Sequence, residues 1–223
     1  MRLVPVVALA AGLAAVAAFA ADDGGRDFRF ARLNRTYEDV ATGFAPIEMD
    51  PLKVTITSPH QTVIVKDHSL RLVPQTDGSF LGTLDLDFLG KGQLEADLDL
   101  GSLTKHLSDL VVVPPQHETV AGRVRIVKID GGYKITTVEL PAKLGVGIES
   151  RLANDVISLC DTASFMALGS LDCGGLERSL TRPEIPLPGP GQEFFLAAAE
   201  LDDAERAAFD AFLAGGVPAT GGH

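Results

Sequence analysis

Carboxylates are the most abundant chemically capable side chains in this sequence, and their densest run lies between Gly82 and Gly101. That stretch reads GTLDLDFLGKGQLEADLDLG. Asp85, Asp87, Glu95, Asp97 and Asp99 alternate there with Leu84, Leu86, Phe88, Leu94, Ala96, Leu98 and Leu100. Oxygen ligands in such number suit a hard cation such as calcium. Their two-residue spacing, however, lays them along one flat strand face, which does not wrap an ion, and no calcium loop closed by a Glu is present. The expectation is a solvated acidic face, helped by Arg123 or Arg125, with no metal and no cofactor.

Five histidines, His60, His68, His106, His117 and His223, are the next candidates. None stands four residues from another, the spacing that places two imidazoles on one helix face for zinc, and no His-Glu-x-x-His occurs. His60 and His68 fall at a loop and at a strand bend, where solvated imidazoles are expected. For nucleophilic catalysis the Gly-x-Ser-x-Gly elbow is missing. Ser79, Ser102 and Ser170 stand near glycines, where turn and cap duties account for them. With no Trp and two Tyr, a saccharide cleft lacks stacking platforms. No catalytic residue is assigned, and the chain reads as a non-enzyme.

Cys160 and Cys173 are the only cysteines. Two thiols without a neighbouring His make neither a zinc site nor an activated nucleophile. An even, minimal count in an exported chain predicts one disulfide, worth roughly 3 kcal/mol for a loop of this size. Export is read from the N-terminus: Arg2, an apolar run from Leu3 to Phe19, then Ala18-Phe19-Ala20 as a small-x-small cleavage site. Asp22-Asp23 follows with no basic stop-transfer cluster, so residues 1–20 are expected to be a signal peptide and not a membrane anchor. The mature chain would be periplasmic or secreted, with no transmembrane span. A net charge of -11 disfavours nucleic acid as a partner.

These side chains must be positioned by strands. Alternation on both sides of Gly90-Lys91-Gly92 predicts a hairpin turning there, in which Asp87 faces Glu95 and Asp85 faces Asp97. Upstream, Phe28 and Phe30 share a face in a strand-like segment whose Arg26, Arg29, Arg32 and Arg35 pair with the protein's own acids. Asn34-Arg35-Thr36 matches a glycosylation sequon. Leu52, Val54 and Ile56 form a strand bracketed by Pro51 and Pro59, and Thr62 to Val73 continues it, bent near Asp67-His68. Ser102 caps a short helix through Asp109, and Pro114-Pro115 ends Val111-Val112-Val113. Val120 to Leu140 is a hairpin turning at Asp130-Gly131-Gly132. Leu144, Val146 and Ile148 make a further strand. Arg151 to Leu168 fits a helix, while Val156 to Cys160 alone fits a strand.

The expected organisation is a mainly β, antiparallel meander, curved sheet or sandwich over residues 21–181, with a short internal helix. A Pro-rich linker over 182–192 follows, too rich in Pro and Gly for a ladder strand. A C-terminal strand and helix occupy 193–214, opened by a capping box at Asp202 to Glu205, and 215–223 is a disordered tail. The pattern GTLDLDFLGKGQLEADLDLG followed by GRVRIVKIDGGYKITTVELP resembles the long amphipathic sheets of bacterial envelope lipid-handling proteins, the AsmA-like and TULIP-like groups, over Leu52 to Ile148. The resemblance implies a lipid or other apolar ligand on the apolar face, against Leu84, Leu86, Phe88, Leu94 and Leu98. The alternative is a structural module or one that binds an envelope protein partner, with no ligand; a hydrolase with an unrecognised site comes third.

Overall fold

Apolar and polar residues alternate here for much longer than a hairpin arm. The computed structural model describes residues 24–49, 52–99, 104–166 and 172–215. Three antiparallel strands run side by side through it: β4 (Leu52–Pro74), β5 (Phe80–Asp99) and β6 (Thr104–Ile129). On the outer edge of β4 lie β1 (Arg26–Phe28), β2 (Thr36–Gly43) and β3 (Ile47–Met49). Beyond β6 come β7 (Gly132–Glu139), β11 (Glu193–Ala197) and the short β9 (Glu149–Ser150). The sheet is antiparallel and is not closed into a barrel. A separate ribbon pairs β8 (Lys143–Gly145) with β10 (Glu184–Pro186).

The expected turn at Gly90-Lys91-Gly92 is instead the middle of β5. Even-numbered residues stay in phase from Phe80 to Leu98, as one uninterrupted strand requires. The glycines serve close approach. A Cβ on Gly90 would lie 2.8 Å from the Thr62 carbonyl oxygen, and one on Gly92 2.6 Å from that of His60. Asp87 therefore faces Asp67 and His117, not Glu95, and Asp85 faces Ser69 and Thr119, not Asp97.

Prolines read as strand ends prove to mark bulges. Register shifts lie between Thr57 and Gln61 around Pro59, and opposite Phe88 and Gly90 around Pro114-Pro115. A residue without an N–H is tolerated where the ladder is already broken. Each extra residue also flips the phase. Val54 and Ile56, then Val63 and Val65, then Leu70 and Leu72 all reach one face because shifts intervene after Thr57 and after Val65.

The helix expected from Ser102 to Asp109 is strand β6 from Thr104 onward, because full pairing with β5 outweighs a weak helical pattern there; Ser102 and Leu103 lie outside the described residues. Arg151–Met166 resolves as helix (α1), and a second short helix, α2 (Cys173–Thr181), follows it. The Cys160–Cys173 disulfide joins the two. The segment read as linker contains β10, which runs antiparallel to β8 and accepts an N–H from Ala45 on the far edge of the sheet at 2.7 Å. Two ribbon strands need few ladder bonds, so flanking prolines are no obstacle. Helix α3 (Asp203–Gly215) starts with the expected capping box: Glu205 N–H donates to Asp202 Oδ1, and Asp202 N–H to Glu205 Oε2, both at 2.8 Å. Residues 1–23, with the signal segment, and 216–223, most of the expected tail, lie outside the described residues.

Candidate ligand site on the apolar face

The apolar row of β5 is capped differently along its length. At one end, hereafter proximal, Val54, Ile56, Leu94, Ala96, Leu98 and Val111 pack against Leu152, Val156, Leu176 and Leu180 of α1 and α2. At the other, distal end, Leu70, Leu72, Phe80, Leu84 and Val124 pack against Phe28, Phe30, Tyr133, Leu196 and Phe209. Between them Tyr37, Val40, Val65 and Leu86 form a small middle cluster.

The residues assigned to an apolar ligand therefore share a face but not a groove. Leu94 and Leu98 belong to the proximal core and Leu84 to the distal one, while Leu86 is central and Phe88 bridges the proximal and middle clusters. Leu94 is 1% exposed, Leu84 5% and Leu86 9%, so no open trough runs along them.

What the face does hold is a small apolar cavity at the distal end, about 30 Å³, between Leu70, Leu72, Leu84, Val124, Ile126 and Phe194 of the sheet and Phe30 and Phe209 above it. Phe209 is the plug. Its ring meets Tyr133, Phe28 and Phe30 edge-on at 4.9, 5.0 and 5.6 Å, the arrangement aromatic quadrupoles favour. Tyr133 donates its hydroxyl to Asp210 at 3.0 Å. Burial, then that bond, pushes its ionisation up to about 12.

Two buried polar residues line the cavity: Thr137, whose hydroxyl donates to the Gly189 carbonyl at 2.6 Å, and His68, 5% exposed. Its Nε2 accepts the Phe30 N–H at 3.1 Å, and its Nδ1 stands 2.6 Å from Asn34 Oδ1. A ring nitrogen that accepts an N–H carries no proton, so the imidazole is neutral and Nδ1 donates. Burial holds its protonation below the ordinary histidine range, outweighing Asp67 and Glu205, which favour the cation. The bend at Asp67-His68 was legible as a solvated position, yet the bulge after Val65 turns His68 inward. The phase change from Val63 and Val65 to Leu70 and Leu72 was the available signal. Phe209, Phe30 and Phe194 were missed as site residues because they come from three distant segments.

On the opposite, exposed face the acids are answered by histidines and a threonine, not by the expected arginines. Asp97 lies 2.8 Å from His106 and Asp87 2.8 Å from His117, while Asp85 accepts the Thr119 hydroxyl at 2.6 Å. Arg123 instead pairs with Asp77 and Glu139. Among the described residues no group of three acids, histidines or cysteines is placed to hold a metal ion. A polar cleft of about 810 Å³ opens beside α2, near Ala45 to Glu48. Its acids Glu48 and Glu184 are paired with Lys53 and Lys143.

These features define a mainly β protein with a one-layer antiparallel sheet, capped by helices at both ends and closed by one disulfide. Among the described residues no helix is long and apolar enough to cross a membrane. No family model, curated protein or solved structure matches the chain.

Proposed function

We propose that this chain is an exported, non-enzymatic protein of the cell envelope, periplasmic or secreted, that takes a lipid acyl chain or similar apolar ligand at the distal end of its apolar face. The observation that carries this reading is the cavity beneath Phe209, apolar on nearly every side. At about 30 Å³ it matches the share of one water, not of a chain. Binding therefore requires the plug to lift out of its contacts with Phe28, Phe30 and Tyr133, and the polar contacts around it lie at the surface. Glu205 accepts the Ala31 N–H at 2.7 Å, Lys128 meets Asp210 at 2.8 Å and Arg35 meets Glu200 at 3.0 Å, all at the surface. Surface pairs of this kind are worth at most about 1 kcal/mol each. Export is supported by the Arg2-led apolar run and by the disulfide, which oxidising compartments preserve. The resemblance of Leu52 to Ile148 to AsmA-like and TULIP-like sheets agrees with it.

Phe194 lines the cavity yet is half-buried, so Phe194→Asp should fold. A fluorescent apolar probe is expected to bind the wild type and to lose at least tenfold in affinity for this variant. Native mass spectrometry of protein purified from its own envelope without delipidation should show added lipid mass. Equal probe affinity in Phe194→Asp, with a bare mass, would remove the reading.

A second reading, a module that docks an envelope protein, is favoured by one observation. Val127, Ile129 and Phe195 are 45%, 41% and 47% exposed near the β6–β7 turn, with Val127 and Phe195 both opposite Lys134.

A further inference from the structure

The segment Phe28 to Asn34 crosses the distal end as a strap. It pairs through β1 with Leu70 to Leu72, then turns through a 3-10 turn at Ala31–Leu33 and sets Phe30 and Leu33 over the cavity. Two buried side chains bond the strap: Tyr37, whose hydroxyl donates to the Leu33 carbonyl at 2.9 Å, and His68, the one that titrates near neutral pH, through Phe30 N–H and Asn34 Oδ1.

We propose that His68 is an acid-released latch on this strap, which opens the distal cavity to apolar ligand when the imidazole takes up a proton. The proposal rests on the ligand reading above, and it deepens it by naming what controls access. The chemistry is a conflict of donors. In the neutral ring Nε2 accepts from Phe30 and Nδ1 donates to Asn34. A proton added at Nε2 sets N–H against N–H across 3.1 Å, so the Phe30 bond cannot survive. The cation must then reach water, because a buried charge without a fully paired shell is costly, and the strap is the wall bonded directly to the ring.

The charged groups around His68 set when this happens. On its own strand Asp67 accepts the His68 backbone N–H at 2.9 Å and also pairs with Arg29 of the strap at 3.5 Å. From α3, Glu205 holds Ala31 N–H at 2.7 Å. Across β5, in the row His68–Leu86–Glu118, the Glu118 carboxylate is already engaged by Arg182 at 2.7 Å. Asp67 and Glu205 favour the cation, while Arg29 and burial oppose it. The strap is thereby held shut at neutral pH and released on acidification.

The latch is tested on the full chain by amide exchange at Phe30, which needs no ligand. Between pH 7.5 and 5, after correction for the intrinsic rate, exchange at Phe30 is expected to speed at least tenfold in the wild type. It should stay flat in His68→Gln, whose amide oxygen accepts the same N–H at every pH. Exchange at proximal amides such as Leu94 should not respond. Probe uptake should rise with acidification in the wild type only, and His117→Gln should behave as wild type. If His68→Gln does not fold, the ring nitrogen shifts of wild-type His68, read against the Phe30 amide over the same titration, replace it. Phe30 exchange that ignores pH, or that responds equally in His68→Gln, would overturn the latch. A probe that never binds while Phe30 still opens with acid would instead remove the ligand and leave the latch standing.

Discussion

The two ends of the sheet solve the same problem with different materials. At the proximal end aliphatic side chains from β4, β5 and β6 are sealed by α1 and α2, and Cys160–Cys173 ties those helices to each other. Asp109, opposite Leu94 on the apolar face of β6, accepts the Leu152 N–H at 3.0 Å and so anchors the start of α1 to the sheet. At the distal end the seal is aromatic, its helix α3 has no covalent tie, and one of the groups beneath it is a titratable ring. A covalently tied end is suited to hold shape. The distal end is no less deeply buried, Tyr133, Phe30 and Phe209 each being 1% exposed. Its helix has no covalent tie, however, and can part from the sheet as a unit, which the disulfide-linked helices of the proximal end cannot do singly.

The comparison can be broken first in the middle, where the two ends meet. Leu86→Glu places a charge among Tyr37, Val40 and Val65. It is expected to cost several kcal/mol and unfold the sheet. A folded Leu86→Glu with wild-type melting, seen by circular dichroism, would mean that the middle of the face is open after all. Phe209→Ala removes the plug and should cost about 3–5 kcal/mol. Amide exchange should loosen Phe30 and Tyr133 while Leu94 keeps its protection; uniform loosening would deny the ends their independence.

Cys160→Ser with Cys173→Ser should lower stability by roughly 3 kcal/mol, and the loss should fall on α1 and α2 and spare the Phe30 amide. Denaturant unfolding with residue-resolved exchange reads both. Asp202→Ala removes the α3 cap and should cost about 1 kcal/mol, seen as fraying of that helix alone.

Acidification gives the smallest shift in stability, and its sign is set by His68. Its protonation is held below the ordinary value of about 6.5, so the unfolded chain binds the proton first. The stability from the neutral ring is complete above about pH 6.5 and is lost as pH falls from there toward the folded-state value. The wild-type advantage over His68→Gln isolates it from the carboxylates and should shrink as pH falls below about 6.5; an advantage that grew on acidification would contradict the sign.

Much of the sheet was legible along the chain. The phase of Leu84, Leu86, Phe88, Leu94 and Leu98 put them correctly on one apolar face, and Asp130-Gly131 turned β6 into β7 as expected. The errors cluster where a residue type has two uses. Gly90 and Gly92 signal a turn or a close approach, and Pro59, Pro114 and Pro115 signal an end or a bulge. In each case the choice depends on a neighbouring strand that local pattern does not contain.

The sequence by itself therefore determined an antiparallel, one-sided sheet, its single pairing of cysteines and the capped C-terminal helix. Each of these follows from nearest-neighbour periodicity or from an inventory with one solution. Tertiary structure alone decided that one apolar row is divided among three clusters, that histidines answer the acids, and that His68 is buried under Phe30. Those outcomes rest on contacts such as Phe30–Phe209 and Asn34–His68, between residues far apart in the chain. A bulge of one residue was enough to turn an imidazole from water into the core.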